Sequence, residues 1–274
     1  MTPAPTLREA LQRRVDAHKG DHGSLGIAGG SQGMVGAVCL AGRAAIFSGA
    51  GRVYAVRPSL HDGFLFDPAT PELMVIDMAQ AGQRPITAWV AGPGLGTSDA
   101  AHSMLRNIVS CPLPLLLDAD ALTILAEDPA LARSCRDRDV ATILTPHPGE
   151  ASRLLHSTTE AIGRDRTGSA REIARNYQAI VILKGHGSVI AQPDGQAWIN
   201  ATGHAGLATA GTGDVLSGLI GALLAQGVDA LMAAREGPRI HGLAAERVTL
   251  RIGGMIGMSA GELIPDIRRL INEQ

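Results

Sequence analysis

Aromatic residues are scarce in this chain, at 3% of 274 residues, so the core has to be built from Ala, Val, Ile and Leu. A basic excess is also missing. The formal net charge is -2 and no block of Lys and Arg stands out, which removes nucleic acid as an expected partner. Cysteine is limited to Cys39, Cys111 and Cys135, an odd number without metal-ligand spacing. They read as reduced, mostly buried thiols of a cytoplasmic protein. The N-terminal MTPAPTLREALQRR has no apolar core of signal-peptide length. No stretch approaches a membrane span free of glycine and charge, and the apolar helix expected after Asp214 is too short for one. No linker rich in Pro, Ser or charge divides the chain and no internal repeat appears, so residues 1–274 are expected to form a single domain, with Pro58 to Pro71 a loop or small excursion.

Hydrophobic residues, by contrast, reach 45% with charged residues at 18%, enough for a large core and against disorder. The 34 glycines cluster between short apolar runs. Strands are expected at Ser24 to Gly29, Arg52 to Val56, Leu73 to Ile76, Trp89 to Ala91, Leu115 to Leu117, Thr142 to Leu144 and Ile180 to Leu183. Helical patterns fill Met34 to Gly49, Asp99 to Val109, Ala121 to Glu127, Gly149 to His156, Arg166 to Tyr177, Asp214 to Gln226 and Asp229 to Leu250. This alternation predicts an α/β fold with a mostly parallel sheet covered on both faces. Several strands run into polar or glycine turns: after Gly29, at Gly92 to Gly96, at Asp118 to Asp120, at Pro146 to Gly149 and at Lys184 to Gly187. Ligands of open α/β sheets bind at the carboxyl ends of the strands, so these turns are expected to share one site.

Gly211-Thr212-Gly213-Asp214 opens an apolar helix whose stripe comprises Val215, Leu216, Leu219, Ile220, Leu223 and Leu224. Glycines at a helix start let a phosphate reach the unpaired N–H groups, and a carboxylate there is placed to act as general base for a hydroxyl. The same four residues also read, equally well, as an Asp cap on a glycine-entered helix. The long polar lead from Asn200 to Ala208 lacks hydrophobic alternation, which favours a functional loop. Asp118 and Asp120 read either as caps for the following helix or as groups ordering the site or a magnesium-bound water. Lys184 reads either as a strand-end lysine reaching solvent or as a ligand contact flanked by Gly185 and Gly187. His147, between two prolines, is expected to contact substrate rather than act as a base. No second histidine stands at ligand spacing to it, so no metal-ligand residues are assigned.

With these residues in hand, Asn200-Ala201-Thr202-Gly203-His204-Ala205-Gly206-Leu207-Ala208 leading into Gly211-Thr212-Gly213-Asp214 resembles the signature of the ADP-dependent NAD(P)H-hydrate dehydratases, members of the ribokinase-like superfamily. The likeness covers nearly the whole chain. His18 to Asp21, Gly29 to Ser31, Gly33 to Ala37, Gly92 to Gly96, Asp118 to Leu122, Thr145 to Glu150 and Leu183 to Gly185 follow in the family's order. The resemblance implies a three-layer α/β/α sandwich and a lyase of metabolite repair. A phosphoryl group passes from ADP (ATP in eukaryotic members) to the C6 hydroxyl of hydrated NADH or NADPH (NADHX, NADPHX), and loss of phosphate restores the nicotinamide. It implies Asp214 as catalytic base and the N–H groups of Gly211, Thr212 and Gly213 as an anion hole. Ala37, Gly96, His147 and Asp214 would contact the hydrated dinucleotide; Lys184, Gly185, His186, Gly187, Ser188 and Gly213 would contact ADP; Mg2+ would bridge the phosphates. From the residues alone, Ala37 and Gly96 read as sites of close strand–helix packing.

Ala210 stands where the family usually has glycine, His204 where asparagine is common and Ser188 where threonine is usual. Ala210 is expected to reduce backbone freedom beside the anion site and so to affect nucleotide affinity. The resemblance further implies a cytoplasmic homo-oligomer, often a tetramer. The chain begins almost at the dehydratase region, so a separate epimerase is expected to supply the substrate epimer. Two rival readings remain at this stage: an ATP-dependent kinase of a sugar or vitamin precursor in the same superfamily, and a non-catalytic nucleotide-binding protein.

Overall fold

The computed structural model describes residues 6–60 and 62–273. The short apolar runs form strands β1 (Ser24–Ala28), β2 (Arg52–Val56), β3 (Met74–Ile76), β4 (Ala88–Ala91), β5 (Leu115–Leu117), β6 (Thr142–Leu144) and β7 (Ile180–Leu183), followed by β8 (Val189–Ala191) and β9 (Ala197–Ile199). They build one nine-stranded sheet in the order β3-β2-β1-β4-β5-β6-β7-β8-β9. All neighbours through β7 are parallel, and β8 and β9 then add as an antiparallel meander. The chain turns back beside β1, since β2 and β4 flank it. That switch point opens a crevice between the turns that follow β1 and β4.

The helices are α1 (Leu7–Ala10), α2 (Val35–Phe47), α3 (Met78–Ala81), α4 (Asp99–Val109), α5 (Ala119–Glu127), α6 (Pro129–Arg136), α7 (Pro148–Leu154), α8 (Thr159–Arg164), α9 (Arg166–Tyr177), α10 (Thr212–Ala225), α11 (Ala230–Ile252) and α12 (Ala260–Asn272). Strand side chains alternate between two apolar layers. Leu25, Ile27, Leu116 and Ile182 pack with α2, α10, α11 and α12. Ala28, Leu115, Leu117, Val181 and Leu183 pack with α4 through α9. This is the expected α/β/α sandwich.

The small-residue helices α2 and α10 pack against each other. A Cβ on Gly218 would lie 2.0 Å from the Ala41 carbonyl oxygen, so only glycine permits this crossing. No helix or strand forms among the described residues of 58–71. The β8–β9 hairpin and helices α6, α8 and α12 were not expected from the sequence. Cys135 is buried, but Cys39 and Cys111 are only half-buried, which corrects the expectation of mostly buried thiols. Among the described residues, no helix is long and apolar enough to cross a membrane.

Candidate active site

The turns at the carboxyl ends of β1, β4 and β5 interlock. Gly30 and Ser31 donate N–H bonds to the Pro93 and Gly94 carbonyls at 3.0 and 2.7 Å. A Cβ on Gly92, whose φ is +131°, would fall 1.7 Å from the Asp118 carbonyl oxygen. Gly96 N–H donates to Asp120 Oδ2 at 2.8 Å. Ala119 lies between the two aspartates in the left-handed region at φ 46°, a conformation that costs a non-glycine residue energy. It lets the flanking carboxylates serve different partners.

Those partners decide between the two readings of Asp118. It stands at the N-cap of α5 but its side chain makes no capping bond. Instead the buried carboxylate accepts from Lys184 Nζ at 2.5 Å and from Ser217 Oγ, on α10, at 2.7 Å. Lys184 also lies 3.8 Å from Glu150 Oε2. It is thus drawn inward rather than reaching solvent. Burial opposes the Lys184 ammonium, but Asp118, Glu150 and the more distant Asp214 outweigh it and raise its pKa.

Asp214 lies in the first turn of α10, whose N-cap is Gly211 with φ 87°. Its carboxylate takes part in no hydrogen bond or ion pair with the described residues, so it does not cap the helix. Burial, then the nearby Asp118 charge, push its pKa up to about 6 against the pull of Lys184. A half-buried, unpartnered carboxylate of that basicity is a competent general base near neutral pH.

Lys184, Gly185, His186, Gly187, Ser188 and Gly213 all line one cavity of about 370 Å³, so the expected nucleotide residues converge. Thr212 lines it too, and Asn200, Thr202 and Leu216 add to its wall. Thr202 is latched to α11 by its hydroxyl, which donates to the Arg239 carbonyl at 3.0 Å. Glu246 accepts the Gly203 N–H at 2.8 Å. A larger cleft of about 820 Å³ lies beside the C-terminal ends of α2 and α12 and contains none of these residues.

The expected substrate residues lie around the cavity rather than among its lining. Ala37, in the first turn of α2, would stand 3.2 Å from a Cβ on Gly94, and Gly96 faces the Ser31 side chain. They border the switch-point crevice. His147 is an exposed N-cap of α7: its Nδ1 accepts from the Gly149 and Glu150 N–H groups at 2.9 and 3.2 Å, and its Nε2 is 3.1 Å from Glu150 Oε1. The capping role of this ring could have been read from Glu150 following at capping-box spacing.

The departures from the family pattern are accommodated. Ala210 does not adopt the left-handed conformation, so alanine brings no strain there. His204 Nδ1 accepts the Gly206 N–H at 3.1 Å, and Ser188 Oγ donates to the Gly185 carbonyl at 3.2 Å. His18 to Asp21 precede β1 and lie away from the site, with the Lys19 carbonyl packed on Gly51. Two participants went unread in the sequence. Ser217 was hidden within the apolar stripe of α10. Arg57, wholly buried at the end of β2, donates from Nε to the Gly30 carbonyl at 2.7 Å and pairs with Asp62.

Gly213 offers a direct test of the phosphate reading. A Cβ there would meet Lys184 Nζ at 3.7 Å and Asp118 Oδ2 at 3.9 Å, ordinary contact distances. Gly213→Ala is expected to leave the melting temperature unchanged, while ADP affinity measured by calorimetry falls about tenfold, because the methyl covers the ammonium. Unchanged affinity would remove Gly213 from the anion site.

The NAD(P)H-hydrate dehydratase family model matches residues 25–269. A Neisseria meningitidis ADP-dependent (S)-NAD(P)H-hydrate dehydratase is 45% identical over 95% of this chain and 88% of its own length. A bifunctional NAD(P)H-hydrate repair enzyme of Escherichia coli is 40% identical, and this chain spans 50% of its length. A Bacillus subtilis ADP/ATP-dependent NAD(P)H-hydrate dehydratase, crystallised with ATP and Mg2+, superposes with a TM-score of 0.84 at 29% identity, covering 98% of this chain and 97% of that one. The chain therefore belongs to the NAD(P)H-hydrate dehydratase family, with the ribokinase-like fold.

Proposed function

We propose that this chain dehydrates (6S)-NADHX and (6S)-NADPHX at the expense of ADP, yielding NADH or NADPH, AMP and phosphate. The observation that carries the mechanism is the unpartnered Asp214 carboxylate in the first turn of α10, its pKa raised to about 6, beside the Lys184–Asp118 pair. Asp214 takes the proton of the C6 hydroxyl as that oxygen attacks the β-phosphorus of ADP. The bond from that phosphorus to the bridging oxygen breaks and AMP leaves. Hydroxide is a poor leaving group, whereas phosphate departs readily, and the ring double bond re-forms as the C6–O bond breaks and C5 loses a proton. Of the expected anion hole, the Thr212 N–H is already engaged by the Thr209 carbonyl at 3.4 Å; the N–H groups of Gly211 and Gly213 and the Lys184 ammonium are assigned to the charge that builds up on the transferring group.

Among the described residues, no group of three or more His, Cys, Asp or Glu side chains stands at metal-binding spacing. Magnesium keeps much of its water and binds through phosphates and one or two carboxylates. Asp120 and Glu150 would hold its water shell, and the ion would neutralise phosphate charge. Ala37, Gly96 and His147 are assigned to the dinucleotide side of the site; the place of Ala37 and Gly96 beside the switch point supports the first two, and His147, which caps α7 after β6, is assigned by likeness to the family.

The test is absorbance at the reduced-nicotinamide band with NADHX, magnesium and either ADP or ATP. A rise with ADP is expected. A rise with ATP alone would overturn the donor, and no rise from folded, nucleotide-binding protein would overturn the reaction. The base must be ionised, so the rate should climb with pH through about 6 and level off above it. A rate independent of pH through that range would remove Asp214 as the base.

A homotetramer is proposed by likeness to the family, supported by the exposed apolar side chains Leu250, Met255 and Ile256; light scattering tests it. The free thiols fit a cytoplasmic setting. The bifunctional relative supports a link to an epimerase activity that supplies the required epimer.

A further inference from the structure

The turn of residues 184–188, between β7 and β8, divides its peptide groups between two sides. Arg166, the first residue of α9, donates from Nη2 to the carbonyls of Leu183, Lys184 and Gly187 at 3.1, 3.3 and 3.4 Å. Ser188 Oγ takes the Gly185 carbonyl at 3.2 Å, and Asn200 N–H takes that of Ser188 at 2.8 Å. The opposite holds for the donors. Among the described residues, the N–H groups of Gly185, His186, Gly187 and Ser188 donate to no protein group. All four residues line the cavity, and Arg166 does not.

Successive free N–H groups in a tight turn form a concave anion receptor. Gly185 and Gly187, with φ of +137° and +62°, supply the backbone conformation that such a turn needs. A turn so shaped is useful only while its carbonyls stay on the far side, because a carbonyl oxygen facing a phosphate is repulsive. Arg166 supplies that constraint. It forms no ion pair among the described residues; the adjacent Asp165 caps α9 through the Gly168 N–H instead. Its charge therefore stands behind the turn without a carboxylate to cancel it. The fit is close: a Cβ on Gly185 would lie 2.8 Å from Arg166 Nη1.

We propose that Arg166 is a positioning residue of the nucleotide site, holding the carbonyls of Leu183, Lys184 and Gly187 away from the cavity so that the N–H groups of residues 185–188 receive the phosphate oxygens of a nucleoside diphosphate. This rests on the reading of the cavity as the ADP site. Arg166 touches no reacting atom, so its loss should act on nucleotide binding and not on chemistry or on the hydrated dinucleotide.

Arg166→Gln and Arg166→Lys in the full chain test it, by calorimetry with ADP and AMP and by steady-state kinetics. Arg166→Gln should raise the ADP Kd and KM about tenfold or more, the scale of one lost charge-assisted hydrogen bond. The KM for NADHX, and kcat at saturating ADP, should stay within about twofold by the same reasoning. Arg166→Lys, which keeps the cation without the planar fork, should fall between, and carries the test if the Gln variant does not fold. An ADP Kd within about twofold of wild type, or equal losses for ADP and NADHX, would overturn the role. Calorimetry needs no turnover, so ADP binding weakened by Arg166→Gln in a chain that dehydrates nothing would keep this role and sink the proposed reaction. A wild-type chain that binds no ADP would sink both.

Discussion

Asp214→Asn is expected to cut kcat by about 10²- to 10⁴-fold, the range for losing a positioned general base. The same change should make the protein more stable. In the folded chain the Asp214 pKa is about 6, above its ordinary 3.8, so the folded state binds this proton more tightly than the unfolded state. The resulting stabilisation is full below the unfolded value and is lost as pH rises through the folded one. At neutral pH and above, the native state therefore carries the whole penalty of an ionised, half-buried carboxylate beside Asp118. Asparagine removes that penalty, on the order of 1–3 kcal/mol, and should raise Tm by about 2–6 °C. Melting curves at about pH 7.5 and about pH 3 check the sign, because the gain should vanish at the lower pH, where both states are largely protonated. A variant with near-normal turnover, or one equally stabilised at both pH values, would remove the base and the strain together.

Asp118→Ala should have the opposite effect on stability. Asp118 is 1% exposed and accepts from both Lys184 and Ser217. Removing it leaves the ammonium sunk beside a vacated site with Glu150 at 3.8 Å as its nearest counter-charge. Loss of one partner of a buried pair costs about 3–5 kcal/mol, against which a lowered Tm of about 6–10 °C is expected. Activity should fall as well, because Lys184 loses the anchor that holds it under Gly213. The acid limb of the pH–rate profile provides a separate reading. The Asp118 charge is the second cause of the raised Asp214 pKa, so without it the limb should move below about 6. Asp118→Asn, which retains an acceptor for Ser217, should lose less stability and shift the limb in the same direction. A Tm within about 2 °C of wild type for the alanine variant would show that the pair is not a stabilising element.

Local pattern carried much of this molecule. Runs such as Arg52–Val56, Leu115–Leu117 and Thr142–Leu144 are strands at the bounds expected, because parallel strands buried on both faces need unbroken apolar residues. Asp99–Val109 and Arg166–Tyr177 are helices at their expected bounds. The start of α10 moved to Thr212, since Gly211 in the left-handed region takes the cap that Asp214 seemed to offer. Strands β8 and β9 are each only three residues long, too short for a periodic signal. They exist because β7 presents an edge to pair with. Helices α6 and α8 are too short for a clear apolar stripe, and their order comes from seating Leu131, Cys135 and Ile162 in a core built by distant segments. The pattern of α12 is broken by Pro265, although Leu263, Ile264, Ile267 and Leu270 lie on its buried face.

The sequence by itself determined the class of fold, the family and the residue types at each turn, because glycine placement, apolar runs and motif order are local properties of a chain. It could not settle what each polar side chain does. Asp118 read as a cap or as a group ordering the site, and Asp214 as a cap or a general base; the tertiary structure gives the first to Lys184 and Ser217 and leaves the second without a partner among the described residues. Arg166 had no motif to mark it, yet it backs a turn that follows another element. Burial, charge pairing and hydrogen-bond completion depend on which segments meet at the carboxyl edge of the sheet. Those meetings join residues as far apart in sequence as Asp118 and Ser217, so only the folded chain decides them.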